Sequence, residues 1–273
     1  MSFVDEMFGL NDVRAVITGG AGVIPGAMAE ALVNAGAKVA LWGRGVSHPV
    51  DEAVRSLAER TGRADAIVGV TVDTGDEESV RAALTETEQK MGQPNLLVNG
   101  VGGNRGKAPF IEMDLAIFEE VVKLNIMAGV VIPTKVFASY WIEKKIEASI
   151  INISSMSSYI PLSGVWAYDA SKSAVLNLTM ATAKEFAPYG IRVNGIAPGF
   201  FVGHQNRALL VKNEATGELT ERGAAVIAHT PFGRFGNFAD LRGVTVFLAA
   251  HAASSFITGV TIPVDGGYLV QNI

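Results

Sequence analysis

Two kinds of segment alternate along this chain, and that alternation constrains its fold more than any other feature. Short, mostly β-branched apolar runs are typical of strands buried on both faces; they occupy residues 13–18, 37–42, 66–71, 96–99, 149–153, 192–196 and 260–264. Longer stretches of helical pattern lie between them, at 27–35, 52–60, 77–91, 115–142 and 175–187. The alternation predicts an α/β fold with right-handed crossovers, a parallel sheet covered by helices on both faces, and ligands at the carboxyl ends of the strands.

Length and composition narrow the class of protein. A chain of 273 residues, 49% of them apolar, can bury a large core, and we expect residues 1–273 to form a single domain. The net charge of -5 offers no excess of positive potential for nucleic acid or anionic lipid. The chain has no Cys, its first residues lack the pattern of a signal peptide, and its apolar runs are too short to span a membrane. We therefore expect a cytoplasmic protein.

One connection is longer than the others. Residues 200–234 separate the sixth and seventh predicted strands and contain several glycines among many polar residues. Long insertions in compact domains often cover a substrate, so we predict a lid in this segment. The alternative is a surface excursion with a helix of its own.

A glycine-rich turn follows the first predicted strand and precedes the first helix. Residues 18–22 read Thr-Gly-Gly-Ala-Gly, and glycines there permit a tight turn and let backbone amides approach a pyrophosphate at a helix N-terminus. A lone turn of this kind is often only a turn, but its setting between strand and helix favours a dinucleotide site. The predicted contacts are Gly19, Gly20, Gly22 and Ile24.

The residues after the second and third strands bear on the type of dinucleotide. NAD sites usually place Asp or Glu after the second strand, whereas this chain has Gly43 and Arg44. A guanidinium suits the 2′-phosphate of NADP(H) in charge and geometry, so we predict NADP(H) in preference to NAD(H). The alternative is a solvated arginine. Asp73, just beyond the third strand, is predicted to accept a bond from the adenine amino group.

Three polar side chains are expected to meet at the carboxyl end of the fifth strand. Tyr168 and Lys172 are four residues apart, so they project from one face at the start of a helix predicted to begin near residue 167. A nearby ammonium favours the phenolate of a tyrosine, whose ordinary pKa is about 10. Ser155 ends the preceding strand and can hold a developing alkoxide. Each residue alone is common in such places, and only the set indicates chemistry.

The whole set of motifs resembles the classical short-chain dehydrogenase/reductase family. The motifs that carry the resemblance are Thr18-Gly19-Gly20, Asn99-Gly100-Val101-Gly102, Asn125, Ser154-Ser155, Tyr168-Asp169-Ala170-Ser171-Lys172 and Pro198-Gly199. The resemblance implies a doubly wound, Rossmann-like sheet of seven parallel strands. It also implies a homotetramer in which residues 264–267 pack near an interface.

The same resemblance implies roles for individual residues. Ser155 would position the substrate, Tyr168 would act as acid and base, and Lys172 would bind the ribose and modulate the tyrosine pKa. A water-linked proton relay is implied for Asn125. The implied cofactor contacts are Asn99, Gly100, Tyr168, Lys172, Pro198 and Gly199.

Three positions depart from the family pattern. Val23 and Pro25 stand where the family usually has glycine, and Gly203 stands where many relatives have a threonine for the nicotinamide carboxamide. Proline is acceptable in the first turn of a helix, although it removes one amide from a phosphate site. These departures leave open a non-catalytic nucleotide-sensing or scaffold protein; the Ser155, Tyr168 and Lys172 set argues against it.

Within the family, segments 102–107, 199–207 and 229–236 resemble the D-mannonate oxidoreductase (fructuronate reductase) group. Amide and cationic side chains at the fourth strand and in the predicted lid suit a hydroxylated carboxylate; they are Asn104, Arg105, Lys107, Gln205, Asn206 and Arg207. The expected reaction interconverts D-fructuronate and D-mannonate. The alternatives are solvated loop charges, a gluconate 5-dehydrogenase-like enzyme or a 3-oxoacyl-thioester reductase. The four histidines lack ligand spacing, so no metal is predicted.

Overall fold

The computed structural model describes residues 2–46, 48–203, 206–213 and 215–271. Its strands are β1 (Arg14–Thr18), β2 (Lys38–Gly43), β3 (Ile67–Thr71), β4 (Leu96–Asn99), β5 (Ala148–Ile153), β6 (Ile191–Pro198), β7 (Val211–Asn213), β8 (Glu218–Leu219) and β9 (Thr261–Val264). Its helices are α1 (Phe3–Phe8), α2 (Val23–Asn34), α3 (Val50–Thr61), α4 (Glu77–Met91), α5 (Leu115–Val122), α6 (Ile132–Lys144), α7 (Trp166–Phe186), α8 (Arg207–Leu210), α9 (Glu221–His229), α10 (Arg242–Ala249) and α11 (His251–Ser254). A π-helical segment, Lys123–Val131, joins α5 to α6.

Seven of these strands form one parallel sheet in the order β3-β2-β1-β4-β5-β6-β9. The expected seven-stranded α/β fold is confirmed, and the predicted strand ends differ from the observed ones by at most two residues. The strand order reverses between β1 and β4, the topological switch point at which ligands bind in sheets of this kind. The glycine turn and the loops after β4 and β5 therefore meet at one edge.

Helices bury both faces of the sheet, so successive strand residues belong to opposite cores. Ile17 packs with Met28 and Leu32 of α2, whereas Val16 faces a cluster that includes Trp42, Phe137 and Trp141. The Phe137 ring centre lies 5.5 Å from that of Trp42 and 5.3 Å from that of Trp141. Both buried indole N–H groups donate hydrogen bonds, to Thr87 Oγ1 (2.9 Å) and to the carbonyl oxygen of Pro94 (2.7 Å). Both indole N–H groups on this face are therefore paired.

The connection between β6 and β9 has structure of its own. Its first part, up to residue 234, contains α8, the antiparallel pair β7–β8 and α9. In the described ranges, no helix combines the length and the apolar character needed to cross a membrane.

Candidate active site

The glycine turn after β1 is tight and is fastened to β2. Gly19 has a φ of +64°, in the left-handed region that favours glycine. The N–H of Gly22 donates to the carbonyl oxygen of Gly19 (2.8 Å), and that of Gly20 donates to the carbonyl oxygen of Trp42 (3.1 Å). Gly22 then precedes α2, whose first-turn amides have no partner inside the helix. A helix N-terminus is thus presented at the carboxyl edge of the sheet, as a pyrophosphate requires.

Pro25 fits this turn. It is the third residue of α2 and buried, a position where an N–H would have no intrahelical partner. A Cβ on Gly100 would lie 2.8 Å from Pro25 Cγ and 2.4 Å from the carbonyl oxygen of Thr18. The glycine turn and the loop after β4 therefore pack against each other through a glycine, and the amides of Val23 and Ile24 remain at the start of the helix.

Asn99 fixes the end of β4 from inside the protein. Its Nδ2 donates to Thr134 Oγ1 (2.9 Å) and to Asn152 Oδ1 (2.8 Å), and Nδ2 of Asn152 donates to Thr179 Oγ1 (2.9 Å). The side chain is 1% exposed. Because the side-chain amide is engaged inside the protein, a contact between Asn99 and a cofactor would be made by the backbone. The N–H of Gly100 donates to Thr18 Oγ1 (3.0 Å), which joins the two loops again.

Arg44 and Asp73 lie at the same edge, after the neighbouring strands β2 and β3, and both are exposed. Asp73 Oδ1 accepts the N–H of Gly75 (2.9 Å), and the N–H of Asp73 donates to Ser79 Oγ (3.1 Å). The loop after β3 is thereby ordered by Asp73 itself. The end of β2 thus carries a guanidinium and no carboxylate.

Ser155, Tyr168 and Lys172 meet at the carboxyl end of β5, as the sequence predicts. Ser155 is 7% exposed, and its Oγ accepts the N–H of Ser157 (3.1 Å). Its hydroxyl also lies close enough to Tyr168 to lower the pKa of the tyrosine. Lys172 is 5% exposed, lies with Nζ 5.7 Å from the Tyr168 ring centre, and donates to the carbonyl oxygen of Ile153 (2.8 Å). α7 begins at Trp166, so both helical residues project from its first two turns.

Burial governs the protonation of this pair. It lowers the pKa of Lys172 to about 8 and raises the pKa of Tyr168 above its ordinary value. The hydrogen bond with Ser155 lowers the tyrosine pKa, and the charge of Asp169 raises it. Taken together, the protein's own groups raise the pKa of Tyr168 and so favour the neutral phenol. That Lys172 lowers the pKa of Tyr168 stays a prediction.

Asn125 is fully buried in the π-helical segment and organises the loop after β4. Its Nδ2 donates to the carbonyl oxygens of Gly103 (2.7 Å) and Val121 (2.8 Å), and its Oδ1 accepts the N–H of Gly103 (3.0 Å). A Cβ on Gly102 would lie 2.7 Å from Asn125 Oδ1 and 3.3 Å from Lys172 Nζ, so these two side chains flank Gly102. The sequence did not predict the π-helical segment, a feature that is frequent at functional sites.

Two of the three predicted substrate residues after β4 have partners in the protein. Asn104 Nδ2 donates to the carbonyl oxygen of Gly106 (2.8 Å), and Arg105 Nε pairs with Glu120 Oε1 (2.6 Å). Lys107 is exposed and lies against Gly164, where an added Cβ would be 2.8 Å from its Cγ. Residues 103–108 thus contact the loop that leads into α7.

A hydrogen bond and a ring contact fasten these two loops. The N–H of Ala108 donates to the carbonyl oxygen of Gly164 (3.2 Å), and Trp166 Nε1 donates to the carbonyl oxygen of Ala108 (3.0 Å). The Trp166 ring also meets Phe110 edge-on, with 5.4 Å between ring centres. The stem of Lys107 is therefore held against Gly164, which lies four residues before Tyr168.

The start of the connection after β6 lies beside the glycine turn. A Cβ on Gly203 would lie 3.8 Å from Val23 Cγ2. Asn206 holds this stretch, since its Oδ1 accepts the N–H of Gly203 (2.8 Å) and its Nδ2 donates to the carbonyl oxygen of Phe201 (2.8 Å). Arg207 begins α8 and is partly exposed. Gln205, also predicted to bind substrate, and His204 lie outside the described residues.

Pro198 and Gly199 end β6 against the C-terminal segment. The N–H of Gly199 donates to the carbonyl oxygen of Val264 (3.0 Å), and a Cβ there would lie 2.7 Å from Asp265 Cα. A glycine is needed for this approach. Among the described residues, no three His, Asp or Glu side chains come together as metal ligands would.

Sequence reasoning missed two polar residues next to the predicted catalytic set. Asp169 and Ser157 are 8% and 2% exposed; Asp169 contacts the loop after β5, and Ser157 lies in that loop. An acidic residue directly after Tyr168, in the first turn of the helix, was the available signal.

Comparisons with known proteins agree with this geometry. A family model described as Enoyl-(Acyl carrier protein) reductase matches residues 20–269. An uncharacterized oxidoreductase of Bacillus subtilis, UxuB, is 38% identical over 94% of this chain and 95% of its own length.

Two solved structures superpose on nearly the whole fold. One, assigned as a D-mannonate oxidoreductase from Haemophilus influenza with bound NAD, has a TM-score of 0.87 at 32% identity and covers 99% of each chain. The other, a gluconate 5-dehydrogenase from Burkholderia cenocepacia with NADP and tartrate, has a TM-score of 0.86 at 32% identity and covers 99% of this chain and 100% of its own. With the family match over residues 20–269, these likenesses establish that the chain belongs to the classical short-chain dehydrogenase/reductase family of NAD(P)-dependent enzymes that act on CH–OH groups.

Proposed function

We propose that this enzyme interconverts a ketone and a secondary alcohol on a sugar acid, with D-fructuronate and D-mannonate as the substrate pair. The observation that carries the proposal is the place of Lys107. Its ammonium has no ion-pair or hydrogen-bond partner among the described residues, and its stem lies against Gly164, just before the Tyr168 helix. A free cation beside the reacting groups suits a substrate that carries a carboxylate.

The relatives support the same class of substrate. One similar structure is assigned as a D-mannonate oxidoreductase, and another is a gluconate 5-dehydrogenase. Because fold and catalytic set do not choose a substrate within a family, the choice rests on the loops. We assign substrate contacts to Asn104, Arg105, Lys107, Ser155, Gln205, Asn206 and Arg207. Of these residues, Lys107 is the one that we propose binds the substrate carboxylate.

The nicotinamide cofactor supplies or accepts the hydride. In the reductive direction, Ser155 orients the ketone oxygen with its hydroxyl, and Tyr168 donates its phenolic proton to that oxygen as the alcohol forms. Lys172 would bind the ribose hydroxyls while its charge favours the phenolate that Tyr168 leaves behind. Asn125 holds Gly103 and belongs to the route by which the proton is replaced. In the oxidative direction the same proton transfers run in reverse.

The described backbone suits the cofactor in two ways. The turn is packed so closely that a Cβ at Gly20 or Gly100 would lie within 3.0 Å of other protein atoms. The first turn of α2 presents backbone amides to a phosphate. We assign the pyrophosphate to Gly19, Gly20, Gly22 and Ile24, and the adenosine end to Arg44 and Asp73. The remaining contacts are assigned to Asn99, Gly100, Pro198 and Gly199. Arg44 supports a preference for NADP(H) over NAD(H).

Four further features belong to this proposal. The seven-stranded sheet runs from β1 to β9, which supports one domain over residues 1–273. Residues 200–234 are proposed as a substrate lid because they leave β6 beside the glycine turn.

A homotetramer is supported by exposed apolar side chains around α5, where Phe110, Ile111 and Leu115 are 59%, 91% and 67% exposed. The absence of cysteine suits a cytoplasmic enzyme.

A substrate panel tests the sugar-acid assignment. Purified enzyme is given NADPH or NADH with D-fructuronate, 5-keto-D-gluconate, an acetoacetyl thioester or D-fructose, which carries no carboxylate. We expect turnover of D-fructuronate. We also expect Lys107→Met to raise its KM about 10- to 100-fold, the loss of one charge-assisted hydrogen bond, while kcat/KM for D-fructose stays unchanged.

The matched control is Lys38→Met, because Lys38 is exposed at the opposite edge of the sheet and should leave every constant unchanged. Turnover of 5-keto-D-gluconate instead would place the enzyme with the gluconate 5-dehydrogenases, one of which is a structural neighbour. Turnover of the thioester alone would overturn the sugar-acid proposal. Tight cofactor binding without turnover of any ketone would support a nucleotide sensor.

A further inference from the structure

Asp169 is a buried carboxylate directly beside the predicted catalytic tyrosine. It is 8% exposed and lies in the first turn of α7. Its Oδ2 accepts the N–H of Leu162 (3.1 Å), while its Oδ1 is buried without a hydrogen bond of normal geometry among the described residues, as is Ser157 Oγ. Burying an ionised carboxylate with so few partners is costly. Accordingly, burial raises the pKa of Asp169 to about 6.

Asp169 reaches two points of the loop that follows β5, residues 154–165. Leu162 is one of them, through the hydrogen bond from its N–H. Ser157 is the other, since its hydroxyl lies close enough to lower the pKa of Asp169. The N–H of Ser157 in turn donates to Ser155 Oγ (3.1 Å), and the Ser155 hydroxyl lies close enough to Tyr168 to lower the pKa of the tyrosine. A chain of polar contacts therefore leads from the buried carboxylate to the proposed catalytic pair.

The same loop forms the surface on which Lys107 rests. Gly164 contacts the Lys107 stem and accepts the N–H of Ala108 (3.2 Å). The start of the loop is bound separately to α7, because Ser158 Oγ donates to the carbonyl oxygen of Lys172 (2.7 Å). Asp169 is thus the side chain of α7 that holds the Leu162 half of the loop, next to the proposed carboxylate site.

We propose that Asp169 is a positioning residue. Its buried carboxylate holds residues 154–165, and this keeps Ser155 and the Lys107 side of the substrate pocket correctly placed relative to Tyr168. The proposal rests on the proposed function, because it assumes that substrate is reduced at Ser155 and Tyr168. Asp169 itself touches neither the substrate nor the transferred proton. Its effect is carried by Ser157 and Leu162.

A positioning role and a merely structural role predict opposite effects on stability when the charge of Asp169 is removed. The pKa of Asp169 in the folded protein, about 6, exceeds its ordinary value of 3.8. Between these values the folded state binds more protons than the unfolded state, so stability falls as the pH rises through this window. At neutral pH the ionised carboxylate therefore destabilises the fold. An amide of the same shape keeps an acceptor for Leu162 and removes that cost.

The titratable neighbours of Asp169 are few. Tyr168 and Lys172 lie on α7, the loop presents the hydroxyl of Ser157, and Lys107 approaches the same loop at Gly164. The charge of Asp169 raises the pKa of Tyr168. Removing that charge should therefore lower the tyrosine pKa and move the alkaline limb of a rate profile to lower pH.

The test compares Asp169→Asn with wild-type enzyme, using as control Asp65→Asn, which alters an exposed carboxylate in a remote short helix. At pH 7.5 we expect Asp169→Asn to melt at a higher temperature and yet to show a KM about tenfold higher, because a charged acceptor for Leu162 is replaced by a neutral one. In wild-type enzyme KM should rise as the pH falls below 6. In Asp169→Asn, KM should stay constant from pH 5 to pH 8. Asp65→Asn should match wild type throughout.

A lower melting temperature together with lower activity for Asp169→Asn would overturn the proposal in favour of a structural role, as would an unchanged pH profile. Should that variant not fold, Ser157→Ala provides the second test. Loss of its hydroxyl removes a group that lowers the Asp169 pKa, so the acid inflection in KM should move to higher pH; no movement contradicts the proposal. An inactive wild type on sugar acids would instead defeat the proposed function, and the same measurements would then use whichever ketone of the panel turns over.

Discussion

Side chains of the same type that lie close together in the sequence have different contacts in the structure. Arg105 and Lys107 both follow β4, yet Arg105 pairs with Glu120 while Lys107 lies on Gly164. Spacing alone predicted that Tyr168 and Lys172 share a helix face, because that depends only on helical geometry. The partners of Asn125 and Asn206 depend on tertiary contacts, so the sequence could not show that both amides hold the backbone.

The preference for NADP(H) is tested at Arg44. Replacing it by serine removes the guanidinium proposed to meet the 2′-phosphate, so the ratio of kcat/KM with NADPH to that with NADH should fall about 10- to 100-fold. Steady-state kinetics with each cofactor measures the ratio. Arg55→Ser, an exposed arginine on α3, should leave it unchanged. An unaltered ratio for the Arg44 variant would show that Arg44 is a solvated loop residue.

Among the larger elements, the strands were predicted well and the connections were not. Strands buried on both faces leave continuous apolar runs, and these runs located β1 to β6 and β9 to within two residues. The apolar pattern over residues 115–142 indicated one helix, whereas the chain has α5, a π-helical segment and α6. A mostly apolar stretch does not reveal whether its backbone forms i→i+4 or i→i+5 hydrogen bonds. Likewise, the hairpin β7–β8 rests on two very short strands.

The base of the β6–β9 connection yields a second prediction. Asn206→Ala removes both side-chain bonds that hold Phe201 and Gly203 beside Val23. We expect KM for substrate to rise about 5- to 30-fold and limited proteolysis between residues 200 and 234 to quicken, with little change in the melting temperature. The control is Asn213→Ala, which loosens the turn after β7 in the same connection. If both variants keep the wild-type KM, residues 200–234 do not cover the substrate.

For the molecule as a whole, the parallel sheet brings distant parts of the sequence to one edge. Gly19, Asn99, Ser155 and Gly199 each follow or end a neighbouring strand, so their distance along the chain does not matter. This made the location of the site predictable from strand ends alone. The fold does not choose among substrates, because loops outside the sheet carry the groups that contact them. The choice of sugar acid therefore depends on Lys107 and its neighbours.

The most direct test of the central claim measures hydride transfer by wild-type enzyme and Tyr168→Phe side by side. NADPH or NADH is mixed with D-fructuronate, and loss of absorbance at the nicotinamide band is followed; cofactor affinity is measured separately by fluorescence. The variant lacks the proton donor but keeps the ring, so we expect kcat to fall about 10³-fold or more while the cofactor Kd stays within about threefold. A Tyr168→Phe enzyme that retained wild-type turnover would contradict the assignment of acid–base chemistry to this tyrosine.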